Sequence, residues 1–247
     1  MKIKTYLPFI MFFTTILMTT YTAESWADKP RVKIIHDWKP GMVVSEFDVM
    51  QAGIERCFMI LDIDAEVWSR INGTSWRVGC PVKRTDLCYL RLLHRNKNGD
   101  IQTGEMVVNR SIAERVIGIF KELYLQKYRI ESIFLIDNYG GDDDKSMAAN
   151  NTSCFNYRNV EGTKKLSRHA YGLAIDINPR YNPYVRGRKV SPQNGAKYAF
   201  NREKRSDIPY KIDCNDLAFK LFKKAGAVWG GDWKTMKDYQ HFQFSMP

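Results

Sequence analysis

The chain is poor in several features that would assign it quickly to a class. Five cysteines in 247 residues are too few for a disulfide-built scaffold, so the fold must rest on buried apolar side chains. None stands in the paired CxxC spacing of a structural zinc site. No GxSxG elbow occurs, which removes the α/β-hydrolase type of serine nucleophile. Residues 80–247 lack repeats, low-complexity tracts and Pro/Gly-rich linkers, and read as one domain. Beyond the N-terminus no apolar run approaches the about 20 residues of a membrane span. Histidine is scarce: His36, His94, His169 and His241 are the only four.

What is present is a globular composition, 44% hydrophobic and 26% charged, which excludes disordered, collagenous and polytopic membrane classes. Residues 1–27 read as a secretory signal: Lys2 and Lys4 form a basic start, Tyr6 to Met18 is largely apolar, and Ser25-Trp26-Ala27 offers small residues for cleavage. Pro8 and the threonines shorten the apolar stretch below a span. The expected mature chain starts at Asp28 and is exported, periplasmic or extracellular. Cleavage removes two lysines and Glu24, taking the net charge from +11 to +10. In an exported protein that excess favours anionic wall polymers or membrane surfaces over nucleic acid, although it also aids solubility. Export permits disulfides, and the expected pairs are Cys80–Cys88 and Cys154–Cys214, leaving Cys57.

Periodicity predicts helices over Glu46 to Ile60 and Ala65 to Ile71, the latter stopped by Asn72-Gly73. Residues 28–79 otherwise carry no assignable motif and form an N-terminal extension of unknown role. Leu87 to Leu93 and Ile101 to Val108 flank a turn with Asn98-Gly99, a hairpin signal. Ser111-x-x-Glu114 forms a capping box for a helix through Ile112, Val116, Ile119 and Leu123. Short strands follow at Ile133 to Ile136 and Leu173 to Ile177, then a helix over Asn215 to Ala225 and a last strand through Phe242 and Phe244. Hairpins and helices without regular βαβ alternation give an α+β fold with an antiparallel sheet.

Two of the histidines stand beside carboxylates. In Ser167-Arg-His169-Ala-Tyr-Gly172-Leu-Ala-Ile-Asp176, strand alternation turns Leu173, Ile175 and Ile177 to one face and Asp176 to the other. In Asp238-Tyr-Gln-His241-Phe-Gln-Phe, Phe242 and Phe244 anchor a strand whose other face carries His241 and Gln243. Two imidazoles, a carboxylate and one open position are what a catalytic zinc ion requires, with Asp238 as a spare acid. The spacing alone also arises by chance. A Ser167–His169 nucleophile pair and a Cys154 nucleophile are alternatives, the first disfavoured by strand geometry and the second by the absence of an assigned histidine.

The segment SRHAYGLAID resembles the SxHxxGxAxD signature of zinc metallopeptidases of the D-Ala-D-Ala carboxypeptidase type, which includes VanY-like carboxypeptidases and L-Ala-D-Glu endopeptidases. DYQHF resembles their second signature, although many members have Glu where this chain has Asp238. The resemblance covers roughly residues 80–247. It implies the Hedgehog/D-Ala-D-Ala peptidase-like (LAS-type) fold, one zinc ion on His169, Asp176 and His241, and Asp238 as general base and then acid. It also implies Arg158, in NNTSCFNYR, as a group near the substrate carbonyl or carboxylate. The implied substrates are peptidoglycan stem peptides, cut either at the terminal D-Ala or at L-Ala-D-Glu. The rival expectation is a zinc-stabilised wall- or protein-binding module without catalysis. Trp229-Gly-Gly-Asp-Trp233 is a candidate cleft wall, and Lys164, Lys165, Arg168, Arg180, Arg186 and Arg188 are a candidate basic field.

Overall fold

A computed structural model describes Ile34 and residues 37–246. The expected signal segment, residues 1–27, and His36 lie outside the described residues. Among the described residues no helix is long and apolar enough to cross a membrane. The strands are β1 (Val43–Val44), β2 (Met59–Asp62), β3 (Leu87–Arg95), β4 (Ile101–Asn109), β5 (Ser132–Ile133), β6 (Asn151–Thr152), β7 (Ala174–Asp176), β8 (Tyr184–Arg186), β9 (Lys189–Ser191), β10 (Val228–Trp229), β11 (Lys237–Asp238) and β12 (His241–Gln243). The α-helices are α1 (Glu46–Ala52), α2 (Ala65–Ile71), α3 (Ala113–Leu125), α4 (Asp143–Ala148) and α5 (Leu217–Lys224). The architecture is mixed α and β, with antiparallel sheets, as expected.

The expected hairpin is its backbone. β3 and β4 pair from Leu87↔Asn109 to Arg95↔Ile101, and the Asn96 side chain accepts the Asn98 and Asp100 N–H groups to close the turn. The period of two divides the apolar side chains between two cores. Cys88, Leu90, Leu92, Met106 and Val108 join the larger core under α3, whereas Leu87, Tyr89 and Val107 join a smaller one with Val67, Ile71 and Phe155. β1 and β2 complete this four-stranded sheet in the order β1-β4-β3-β2. The described part of the 28–79 extension is thus woven into the same sheet as the hairpin.

Several local expectations change. The first helix does not reach Ile60: Gly53, at φ +77, closes α1 on the carbonyls of Val49 and Met50, and a 3-10 turn then leads into β2. Glycine's left-handed freedom outweighs the helical spacing there. The Ser111–Glu114 capping box is not formed, because the Ser111 hydroxyl and N–H both donate to Asn109 Oδ1. The 133–136 strand is only two residues long, and the acidic run after it forms α4, capped by Asp142. All five cysteines are free. Cys88 faces the larger core while Cys80 packs on the smaller one, and Cys154 is buried while Cys214 is exposed, so neither expected disulfide forms.

A second sheet, in the order β10-β12-β7, packs its apolar side against α3 and α5. Phe242 stacks on Phe222 at 4.4 Å, and Phe222 meets Phe120 edge-on. Leu173, Ile175 and Ile177 are buried in the same core, which leaves the opposite side of β7 and β12 for polar groups. β11 pairs with the β8–β9 hairpin in a third sheet, and β5 and β6 form a parallel pair.

Candidate metal centre

His169 lies on a 3-10 turn, Arg168–Tyr171, whose cap is the Ser167 hydroxyl accepting the His169 N–H. That use of Ser167 is structural. Gly172 ends the turn at φ +65, and its carbonyl accepts from Asn109 N–H at 2.9 Å, docking the turn on the end of β4. A Cβ at Gly172 would lie 2.7 Å from that nitrogen, so the signature glycine is fixed by the docking. Asp176 and His241 are direct partners across the β7–β12 ladder, and Ile175 pairs with Phe242 beside them on the apolar side.

The three side chains are 3–6% exposed and converge. His241 Nδ1 lies 2.9 Å from Asp176 Oδ1, His169 Nε2 lies 3.2 Å from Asp176 Oδ2, and the two ring nitrogens are 3.2 Å apart. The outer nitrogens are committed elsewhere. His169 Nδ1 donates to the Cys154 carbonyl at 2.6 Å, and His241 Nε2 donates to Gln243 Oε1 at 3.2 Å. Since those oxygens only accept, each neutral ring turns a lone pair towards Asp176. With both rings neutral the three acceptors repel one another, and either a metal cation or a proton on His241 relieves that repulsion. Ligands about 2.0–2.1 Å from a tetrahedral zinc ion lie about 3.3 Å from one another, close to the separations seen. The donor set, its spacing and its outer hydrogen bonds therefore fit zinc.

The electrostatics reflect the crowding. Burial alone would raise the Asp176 carboxyl, yet the two imidazoles hold it well below the usual carboxylate range. Burial opposes protonation of His241, but the Asp176 carboxylate outweighs it and brings the ring to about 8.

These residues line a cavity of about 610 Å³, which also receives Arg158, Tyr184, Trp233, Asp238 and Gln240. Asp238 sits on β11 opposite Tyr184. Its enclosed position pushes its carboxyl up to about 6, against the pull of His241 and with the push of Asp176, and its Oδ1 is buried without a partner. Arg158 Nε and Gln240 Oε1 are likewise buried and unpartnered, so three unused polar atoms belong to one cavity's walls.

Arg158 pairs with Asp143 of α4 at 2.5 Å, a partner that the sequence did not suggest. Trp233 lies against His241, 5.4 Å between rings, as a wall residue. The two glycines before it serve differently from the expectation: Gly230 admits the Asp238 backbone and Gly231 the Trp229 ring. Of the basic field, Lys165, Arg168 and Arg186 line the cavity, while Arg180 is bound to Glu131. Gln243, the Cys154 carbonyl, Asp143 and Gln240 were missed by sequence reasoning. Only Gln243 had a signal, its place on the His241 face.

No curated protein and no solved structure matches the chain. Residues 161–244, the stretch that carries His169, Asp176, Asp238 and His241, match the model of the D-alanyl-D-alanine carboxypeptidase family, in agreement with the peptidase resemblance read from SRHAYGLAID and DYQHF.

Proposed function

We propose that the protein is an exported zinc metallopeptidase of LAS-type fold that hydrolyses an amide bond in peptidoglycan stem peptides. The observation that carries this reading is the convergence of His169, Asp176 and His241 on one point of a cavity in which Asp238 Oδ1 has no partner. His169, Asp176 and His241 would hold the ion, which would supply Lewis-acid charge and make water acidic enough to attack at neutral pH.

Asp238 takes the proton of the attacking water as the new C–O bond forms, and returns it to the amine as the C–N bond breaks. Arg158, steadied by Asp143, offers guanidinium donors to the developing oxyanion or to a substrate carboxylate. Gln240 Oε1 is a free acceptor for a peptide N–H.

The test is a product map by mass spectrometry after zinc-loaded protein meets peptidoglycan fragments. Loss of a terminal alanine identifies a carboxypeptidase, and scission between L-Ala and D-Glu an endopeptidase. Asp238→Ala should abolish turnover, by about 100-fold or more, while zinc stays bound. Turnover at the wild-type rate in that variant would refute its role, and intact fragments with wild-type protein would favour the binding-module reading. Export is tested by N-terminal sequencing of the mature protein, expected to begin at Asp28.

A further inference from the structure

Arg202 is a buried cation held by neutral groups. It opens a 3-10 turn, Arg202–Lys204, in the connection from β9 to α5, and is 4% exposed. The acids nearest in sequence are bound by others, Asp207 by Arg205 and Asp213 by Lys211. Enclosure pulls the guanidinium down from 12.5 to about 10, so it stays charged at neutral pH. One terminal nitrogen donates to the Tyr181 and Tyr198 carbonyls at 2.7 and 2.9 Å, and the other to Asn182 Oδ1 at 2.7 Å. The guanidinium carbon stands 4.3 Å from the centroid of the Tyr239 ring.

These partners belong to the two segments that carry the candidate centre. Asn182 is fully buried in the loop after β7, where its amide donates to the Asn178 and Tyr210 carbonyls at 3.2 and 3.0 Å. Tyr239 lies between Asp238 and His241. Asp238, Gln240 and His241 line the cavity, and Tyr239 turns the other way, so Arg202 bears on the segment from behind. The backbone hold on Tyr239 is thin: its N–H reaches the Pro183 carbonyl only at 3.5 Å, and its carbonyl accepts from Trp229 Nε1. An apolar side chain would fill the space behind the ring without burying a charge. What the guanidinium adds is direction, because a planar fork fixed on three acceptors holds the ring in one place.

We propose that Arg202 is a positioning residue of the peptidase proposed above, a role that rests on that reading: by clamping the Tyr239 ring to the loop after β7, it fixes where Asp238 stands relative to His169, Asp176 and His241. Arg202 itself touches neither the cavity nor the three candidate ligands.

The test compares zinc-loaded full-length wild type with Arg202→Gln, Tyr239→Leu, the double variant and Tyr239→Phe. Steady-state kinetics on a stem peptide are expressed per zinc-bound protein, and amide exchange is followed by mass spectrometry. Each of Arg202→Gln and Tyr239→Leu should lower kcat about tenfold with KM within about twofold of wild type. The double variant should lose no more than either single one, because both remove the same contact. Tyr239→Phe keeps the ring and should restore most of what Tyr239→Leu loses. Exchange should quicken about tenfold in residues 237–241 of both single variants while the β3–β4 hairpin keeps its protection. Unchanged kcat in the single variants, losses that multiply in the double variant, or exchange in 237–241 no faster than in wild type would overturn the proposal. Should Arg202→Gln fail to fold, Tyr239→Leu decides by the same kcat and exchange criteria. If wild type hydrolyses no peptide, the peptidase reading fails, while the exchange comparison still decides whether Arg202 holds the segment.

Discussion

Gly230→Ala tests how Asp238, the proposed proton carrier, is held. An added Cβ would lie 2.6 Å from the Asp238 carbonyl oxygen and 2.7 Å from its Cβ, where carbon contacts are ordinarily about 3.5 Å or more. Gly230 has no left-handed φ, so alanine is compatible with the backbone and the effect is purely steric. One side must yield by roughly 0.5–0.8 Å. The β10 side is pinned by its pairing with β12 and by Trp229 Nε1 donating to the Tyr239 carbonyl at 2.9 Å. β10 and β11 are equally short, but Trp229 of β10 is paired with the fully buried Phe242 whereas β11 is paired with the partly exposed β8, so Asp238 moves. Since a 1 Å misplacement costs about 100-fold in rate, kcat should fall about 10- to 50-fold. Overpacking should lower stability by about 1–3 kcal/mol. His241 is anchored independently by its rung with Asp176 and by Phe242 stacked on Phe222, so zinc affinity should stay within about threefold. Steady-state kinetics on a stem peptide, zinc competition with a chelating dye and thermal melting read the three quantities. A kcat within about twofold of wild type would refute the argument that this contact sets Asp238.

Two further outcomes follow from the same structure. Gln243→Leu removes the acceptor of His241 Nε2 and should weaken zinc binding by about 10- to 100-fold in dye competition, with little change in the circular dichroism spectrum. His94 is fully buried with Nδ1 donating to the Ile130 carbonyl, and burial lowers its pKa from 6.5 to about 4. A depressed folded-state pKa means the contribution is complete above pH 6.5 and is lost as pH falls towards 4. Denaturant melts across that window should lose about 3 kcal/mol, and His94→Asn should flatten the slope.

The parts of the fold set by local chemistry were legible. Alternation placed Leu173, Ile175, Ile177, Phe242 and Phe244 inside, and that placement turned Asp176 and His241 the other way. The hairpin around Asn98-Gly99 was visible because its turn residues and flanking apolar runs act within a few positions of one another. Failures came where a short-range signal met a competing one. Gly53 cut a helical pattern, and Asn109 took the Ser111 hydroxyl that spacing had given to Glu114. What depends on the assembled chain was hidden: the Cys154 carbonyl that orients His169 has no side-chain signature, and the Asp143–Arg158 pair joins elements that only folding brings together.

The shared rung of Asp176 and His241 has a consequence for how the centre comes into being. Side chains alternate faces along a strand, so a shift of one residue between the paired strands would present an apolar neighbour where a ligand belongs and drive a charged or ring-nitrogen group into the phenylalanine layer. No partly competent arrangement lies between correct and incorrect pairing. An ion captured by all three donors therefore certifies the alignment of the sheet beneath it, and its affinity adds directly to the preference for the native strand register over its neighbours.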